Sequence, residues 1–147
     1  LDAVEHRWVE ELNAMNAMFV WRRNGATVLS TPPLSGTILE GVTRDSLLEL
    51  ARQQGGDIGI DEVLEEPTSI EAVRAGIEAG ELREMFACGT AAVIVPVGRL
   101  IDGDVARTVG DGEPGATTMA LRSALLDIQY GRSTDTRGWM RTIEPVG

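Results

Sequence analysis

Two apolar runs, MNAMFVWR over residues 15–22 and ATVLS over 26–30, are separated by Arg23, Asn24 and Gly25. Asn-Gly supplies the positive φ that a tight turn requires, so the pair predicts a β-hairpin. Pro32 and Pro33 end the second strand, because proline offers no N–H to a ladder. Over residues 42–54 the apolar positions Val42, Leu47, Leu48, Leu50 and Ala51 fit a helix packed on one side and closed by Gly55 and Gly56. Residues 57–64 (DIGIDEVL) predict a short strand. After Pro67, Thr68 and Glu71 stand at capping-box spacing, and Ile70, Val73 and Ile77 make one buried stripe that stops at Gly80. Residues 82–95 are almost continuously apolar beyond Glu84, as in a buried strand, with an interruption at Cys88, Gly89 and Thr90. Pro96, Gly98 and a turn at 102–104 mark further strand ends. A third helix over 117–130 turns Leu121, Leu125 and Ile128 inward, and an irregular tail carrying Trp139 follows. Such a mixture is α/β or α+β, in one domain.

Composition narrows the partners. With 43% hydrophobic residues the chain can bury a core of its own. A net charge of -10, with the arginines scattered rather than gathered in a stripe, argues against nucleic acid and anionic membranes and for a small-molecule or protein partner. There is no apolar run of about 18 residues to cross a bilayer and no signal-peptide succession, and the single Cys88 has no internal disulfide partner. A cytoplasmic location is expected. All thirteen basic residues are arginine, so the chain holds no lysine; codon bias is the plain reading, and no ε-amine is available for a Schiff base. With one histidine, His6, and one cysteine, no zinc site is expected.

Three places could carry chemistry. At Leu39-Glu40-Gly41-Val42-Thr43-Arg44 a glycine leads into a helix whose first amides and Thr43 hydroxyl suit a phosphate, although Thr43 would equally serve as a cap. Cys88-Gly89-Thr90-Ala91-Ala92 is a small-residue break where successive N–H groups could receive an anion; a β-bulge that merely bends the sheet is the alternative, and Cys88 reads as an inert buried thiol. Glu10 and Glu11 lie beside a strand that turns apolar at Leu12, so one could face inward, with a solvated pair as the simpler reading.

Taken in order, residues 11–16 (ELNAMN), 31–46 (TPPLSGTILEGVTRDS), 84–100 (EMFACGTAAVIVPVGRL), 128–131 (IQYG) and Gly138-Trp139 resemble the C-terminal domain of the branched-chain amino acid aminotransferases. That resemblance covers almost the whole chain. It implies the C-terminal domain of pyridoxal phosphate fold type IV, a strand pseudo-barrel with flanking helices. It also implies roles: Glu11 on the pyridine nitrogen of pyridoxal 5′-phosphate, Val42 and Thr43 on the phosphate, Thr90 as a second phosphate-binding hydroxyl, and the amides of Ala91 and Ala92 on the substrate carboxylate. Glu10 would be the solvated neighbour of Glu11. Where the family usually has glycine and a small residue before Met-Asn, this chain has Asn13 and Ala14. Where some members carry a Cys-x-x-Cys pair, it has Ala92 and Val95, so thiol regulation of that kind is not expected.

The family's Schiff-base lysine, a phosphate-binding arginine and a tyrosine belong to sequence preceding the part that aligns with Leu1. The resemblance therefore implies a C-terminal cofactor-binding domain over residues 1–147, an absent N-terminal domain bearing the lysine, and an isolated chain that is inactive. Joined to that domain, it would transfer amino groups between leucine, isoleucine or valine and 2-oxoglutarate, as a homodimer. Within the same fold, a D-amino acid aminotransferase or an aminodeoxychorismate lyase would share the phosphate sites. A subunit of a split enzyme, or a non-catalytic cofactor-binding module, is the alternative of a different class.

Overall fold

The strand at the centre of the fold is β2 (Met15–Arg23), and alternation of side chains along it gives the sheet two faces. The structure, a computed structural model, describes residues 1–141 and 143. β2 turns through Asn24 (φ 50°) and Gly25 (φ 84°) into β3 (Ala26–Thr31), the expected hairpin, but with Arg23 paired to Ala26 inside the ladder, so that the loop is two residues rather than three. On one side β2 pairs antiparallel with β5 (Leu82–Gly89), which pairs in turn with β6 (Val93–Pro96). On the other side it pairs with β3, and β3 with β4 (Glu62–Glu65) in parallel. A short β1 (Glu11–Leu12) joins the beginning of β2, completing a six-stranded sheet ordered β4-β3-β2-β5-β6.

Met18, Val20, Leu29, Phe86 and Ile94 project to the face covered by α1 (Val42–Ile58) and α3 (Ala116–Gln129), against Leu47, Leu48, Leu121 and Leu125. Phe19, Trp21, Val28, Leu82 and Met85 project to the opposite face, where Val73 of α2 (Ile70–Glu78) completes a second core. A separate two-stranded hairpin, β7 (Arg99–Asp102) with β8 (Val105–Thr108), is tied to α2 by Arg107 to Glu78 at 3.0 Å. Strands flanked by helices on both faces match the mixed α and β architecture expected, and Leu121, Leu125 and Ile128 do face inward.

Several boundaries differ from the sequence reading, each for a tertiary reason. α1 does not stop at Gly55 and Gly56; it continues to Ile58 and ends at Gly59, φ 82°. Gly55 is instead a contact point: its carbonyl accepts from the amides of Gly59 and of Ile60 (2.7 Å), and a Cβ on it would strike the Ile60 carbonyl oxygen. The strand expected over 57–64 accordingly begins only at Glu62. The cap of α2 is Ser69, which accepts from the Ala72 amide at 3.1 Å, while Thr68 is buried and donates to the Glu66 carbonyl. The strand over 82–95 is not interrupted at Cys88 and Gly89. It runs through them, and the break is a three-residue hairpin turn of Thr90, Ala91 and Ala92, so the bulge alternative is set aside.

Asn13 and Ala14 form another two-residue turn, closed by Leu12 opposite Met15, with φ of 50° and 62°. Such a turn requires positive φ at both positions, and alanine pays for its Cβ there. Ala14→Gly is expected to stabilise the protein by about 1 kcal/mol net of glycine's extra unfolded-state entropy, read as a higher midpoint in thermal unfolding.

Candidate functional site

The three helices differ at their amino ends. Ser69 caps α2. The carboxylate of Glu84, from β5, caps α3 by accepting from the amides of Thr117 (3.1 Å) and Thr118 (2.7 Å). Gly115 is needed beside it, because a Cβ there would overlap that carboxylate. Among the described residues no side chain caps α1, whose N-cap is Gly41. The first-turn amides of a helix need partners, so an uncapped end facing a cavity is suited to an anion.

It does face one. Antiparallel register sets Asn16 of β2 opposite Cys88 of β5, which brings the 90–92 turn alongside the amino end of α1. Between them lies a cavity of about 350 Å³ that gathers Val42, Thr43, Thr90 and Ala91 on its wall. Thr43 is buried there, while Val42, Thr90 and Ala91 are exposed. Ala92 is the next residue of the turn and does not line the cavity. The turn is held in shape at a cost: Val93, β-branched and packed against the first core, has φ 61°, a region that disfavours such side chains.

Glu11 is outside this group. Its Oε1 accepts from the Leu39 amide at 2.7 Å, and Leu39 is on the cavity wall. No hydrogen bond to its Oε2 is formed among the described residues. Glu10, its neighbour, accepts from Thr37 Oγ1 at 2.6 Å through Oε1, in an exposed hydrogen bond at the surface. Both acids are engaged because the loop before α1 crosses over β1, a long-range approach that neighbouring residues do not report.

The cavity wall carries no arginine, so an anion there would be held by amides and hydroxyls. Arg44, in the first turn of α1, is directed away from it: its Nη2 donates to the Pro32 carbonyl at 3.0 Å and to Glu65 Oε2 at 2.7 Å. The Arg44 and Arg52 hydrogen bonds hold the Glu65 carboxyl below its ordinary pKa. Cys88, on the cavity floor, is pushed up to about 12 by burial and stays a neutral thiol. Among the described residues no group of His, Cys, Asp and Glu is arranged to hold a metal ion, and no helix is long and apolar enough to cross a membrane.

Sequence reasoning passed over Asn16 and Glu84. Asn16 is the one polar residue in the apolar stretch Met15–Trp21, and a buried polar group requires a partner, which was the available signal there; Glu84, half-buried beside Arg83, carried no comparable signal.

The family profile of amino-transferase class IV matches residues 4–100. The chain belongs to that family. Its relatives include the branched-chain-amino-acid aminotransferase of Mycolicibacterium smegmatis, 48% identical over 140 residues, which are 95% of this chain and 37% of that protein. Among solved structures, the branched-chain amino acid aminotransferase from Escherichia coli superimposes with a TM-score of 0.70 at 34% identity, over 90% of this chain and 38% of that one. The PLP-form of the Thermobaculum terrenum branched-chain amino acid aminotransferase gives 0.65 at 32% identity, over 86% and 35%. The class IV aminotransferase chain described here thus spans a little over a third of the length of these relatives, and its resemblance to branched-chain aminotransferases agrees with them.

Proposed function

We propose that this chain is the cofactor-binding, C-terminal part of a branched-chain aminotransferase that exchanges amino groups between leucine, isoleucine or valine and 2-oxoglutarate. The observation that carries the reading is the uncapped α1 end beside Thr43 and Thr90, in a family whose other helix ends in this chain are capped from within. A phosphate fits there: Val42 and Thr43 would offer amides, Thr43 and Thr90 hydroxyls, and the helix dipole a favourable potential. Glu11 would use Oε2 to hold the pyridine nitrogen in its protonated form. The Ala91 and Ala92 amides, at the tip of the hairpin, would receive the substrate carboxylate. Bound in this way, pyridoxal 5′-phosphate would supply the electron sink for amino transfer.

The proton-shuttling lysine would come from an N-terminal domain, since this chain has none. The assembled enzyme would be a cytoplasmic homodimer. Branched-chain substrates are favoured over those of a D-amino acid aminotransferase or aminodeoxychorismate lyase by relatives at 41 to 49% identity that are named for branched-chain amino acids.

The test is binding of pyridoxamine 5′-phosphate, whose fluorescence can be titrated and which has no aldehyde to react with the Leu1 amine. The chain is expected to bind it, and Thr43→Val to weaken binding about tenfold through loss of a hydrogen bond to a charged group. Equal binding by the wild type and Thr43→Val would count against the site.

A further inference from the structure

Asn16 is 3% exposed within the apolar strand β2. Its Nδ2 donates to the Leu39 carbonyl at 2.9 Å. Its direct neighbour across the ladder is Glu11, which accepts from the amide of the same Leu39 at 2.7 Å. Cys88 is its neighbour on the other side. Residues opposed in antiparallel pairs project to one face, so Glu11, Asn16 and Cys88 form a row beneath the amino end of α1.

Leu39 is therefore held by both backbone polar groups, from two adjacent side chains of the sheet, while its own side chain is 66% exposed. The grip extends forward. The Gly41 amide donates back to the Leu39 carbonyl at 2.8 Å, the Gly41 carbonyl accepts from the Asp45 amide at 3.0 Å, and a Cβ on Gly41 would overlap Asn16 Oδ1. One carboxamide thus meets the loop at Leu39 and at Gly41, immediately before the helix end that is left uncapped.

We propose that Asn16 is a positioning residue: together with Glu11 it clamps residues 39–41 to the sheet and so aims the first amides of α1 into the cavity. This rests on the reading of that helix end as the phosphate site. The physical reason is directional. An N–H···O bond weakens steeply once misaligned, so amides on an untethered loop and helix end would hold an anion less well than the same amides fixed to a sheet. Glu11 then serves both ends of the site, since the carboxylate proposed for the ring nitrogen also fixes the loop that leads to the phosphate.

The experiment compares binding of pyridoxamine 5′-phosphate with that of pyridoxamine to the full 147-residue chain, the ratio of the two affinities reporting the phosphate's share. Asn16→Ala is expected to lower that ratio roughly five- to tenfold while changing pyridoxamine affinity less than about twofold. A purely structural role would lower the unfolding temperature and leave the ratio of the folded protein alone. Gly41→Ala should lower the ratio from the loop side. Combined with Asn16→Ala it should do no further harm, because the room its Cβ needs is then free. If Asn16→Ala does not fold, Asn16→Ser and Gly41→Ala carry the same comparison.

An unchanged ratio in folded Asn16 variants, or fully additive losses in the double variant, overturns the proposal. If Thr43→Val lowers the ratio and the Asn16 variants do not, only the positioning role fails. A wild-type ratio near one removes the phosphate site and the positioning role together.

Discussion

Assayed with leucine, isoleucine or valine, 2-oxoglutarate and pyridoxal 5′-phosphate, the 147-residue chain alone is expected to give no measurable transamination. Its sequence contains no lysine, and the described structure offers no replacement: Cys88 is a neutral buried thiol, and Glu10 and Glu11 are engaged with the loop before α1. Acid–base catalysis by a positioned side chain contributes about 10²–10⁴-fold by itself, before any loss of covalent attachment is counted. Supplying a lysine-bearing N-terminal domain of a branched-chain aminotransferase is expected to restore turnover if the two parts assemble. A robust rate from the chain alone would refute the division of labour proposed for it, and cofactor binding without turnover under any complementation would favour a binding module.

Arg44→Ala is expected to cost about 2 kcal/mol of stability, from the charged hydrogen bond lost at the Pro32 carbonyl and the packing lost around the buried arginine stem. Arg44 is 4% exposed and joins the start of α1 to the end of β3 through the Pro32 carbonyl and to β4 through Glu65. Its removal leaves the Pro32 carbonyl short of a donor, although Glu65, itself exposed, keeps Arg52 at 2.8 Å. Arg44→Met should cost less, because it refills the space and also eliminates the buried Arg44 Nε, which has no partner among the described residues. Chemical denaturation with an unchanged m-value measures both.

The same site has a pH signature. Hydrogen bonds from Arg44 and Arg52 lower the folded-state pKa of Glu65, so its contribution to stability is present above the unfolded value of about 4.3 and is lost as pH falls through the lower folded value. Thermal midpoints of the wild type should therefore fall on acidification below about pH 4, with the Glu65 part of that fall reduced in both Arg44 variants. An identical pH dependence in wild type and variants would contradict the assignment.

Local chemistry was read correctly where it decides the structure. Asn24-Gly25 makes the hairpin because positive φ is a property of those residues, and the inward stripe of Leu121, Leu125 and Ile128 follows from helical period. Gly55 misled because the same residue type that ends helices also permits close contact, here with the Ile60 backbone. Ser69 takes the cap that Thr68 was expected to provide; Thr68 is buried, and its carbonyl accepts from the Val9 amide at 2.9 Å.

The candidate site divides in the same way. The chemical types are legible in the residues alone: a glycine leading into a helix at Gly41, a small-residue stretch at Thr90-Ala91-Ala92, the family likeness and the absence of lysine. It takes the folded chain to bring these two stretches to one cavity, to cap α3 with Glu84 while α1 is left open among the described residues, and to let Glu11 and Asn16 grip Leu39 from one row of the sheet. The physical reason is that turn propensity and periodicity act between near neighbours, whereas strand register brings residues 16, 39, 43 and 90 together across long stretches of chain.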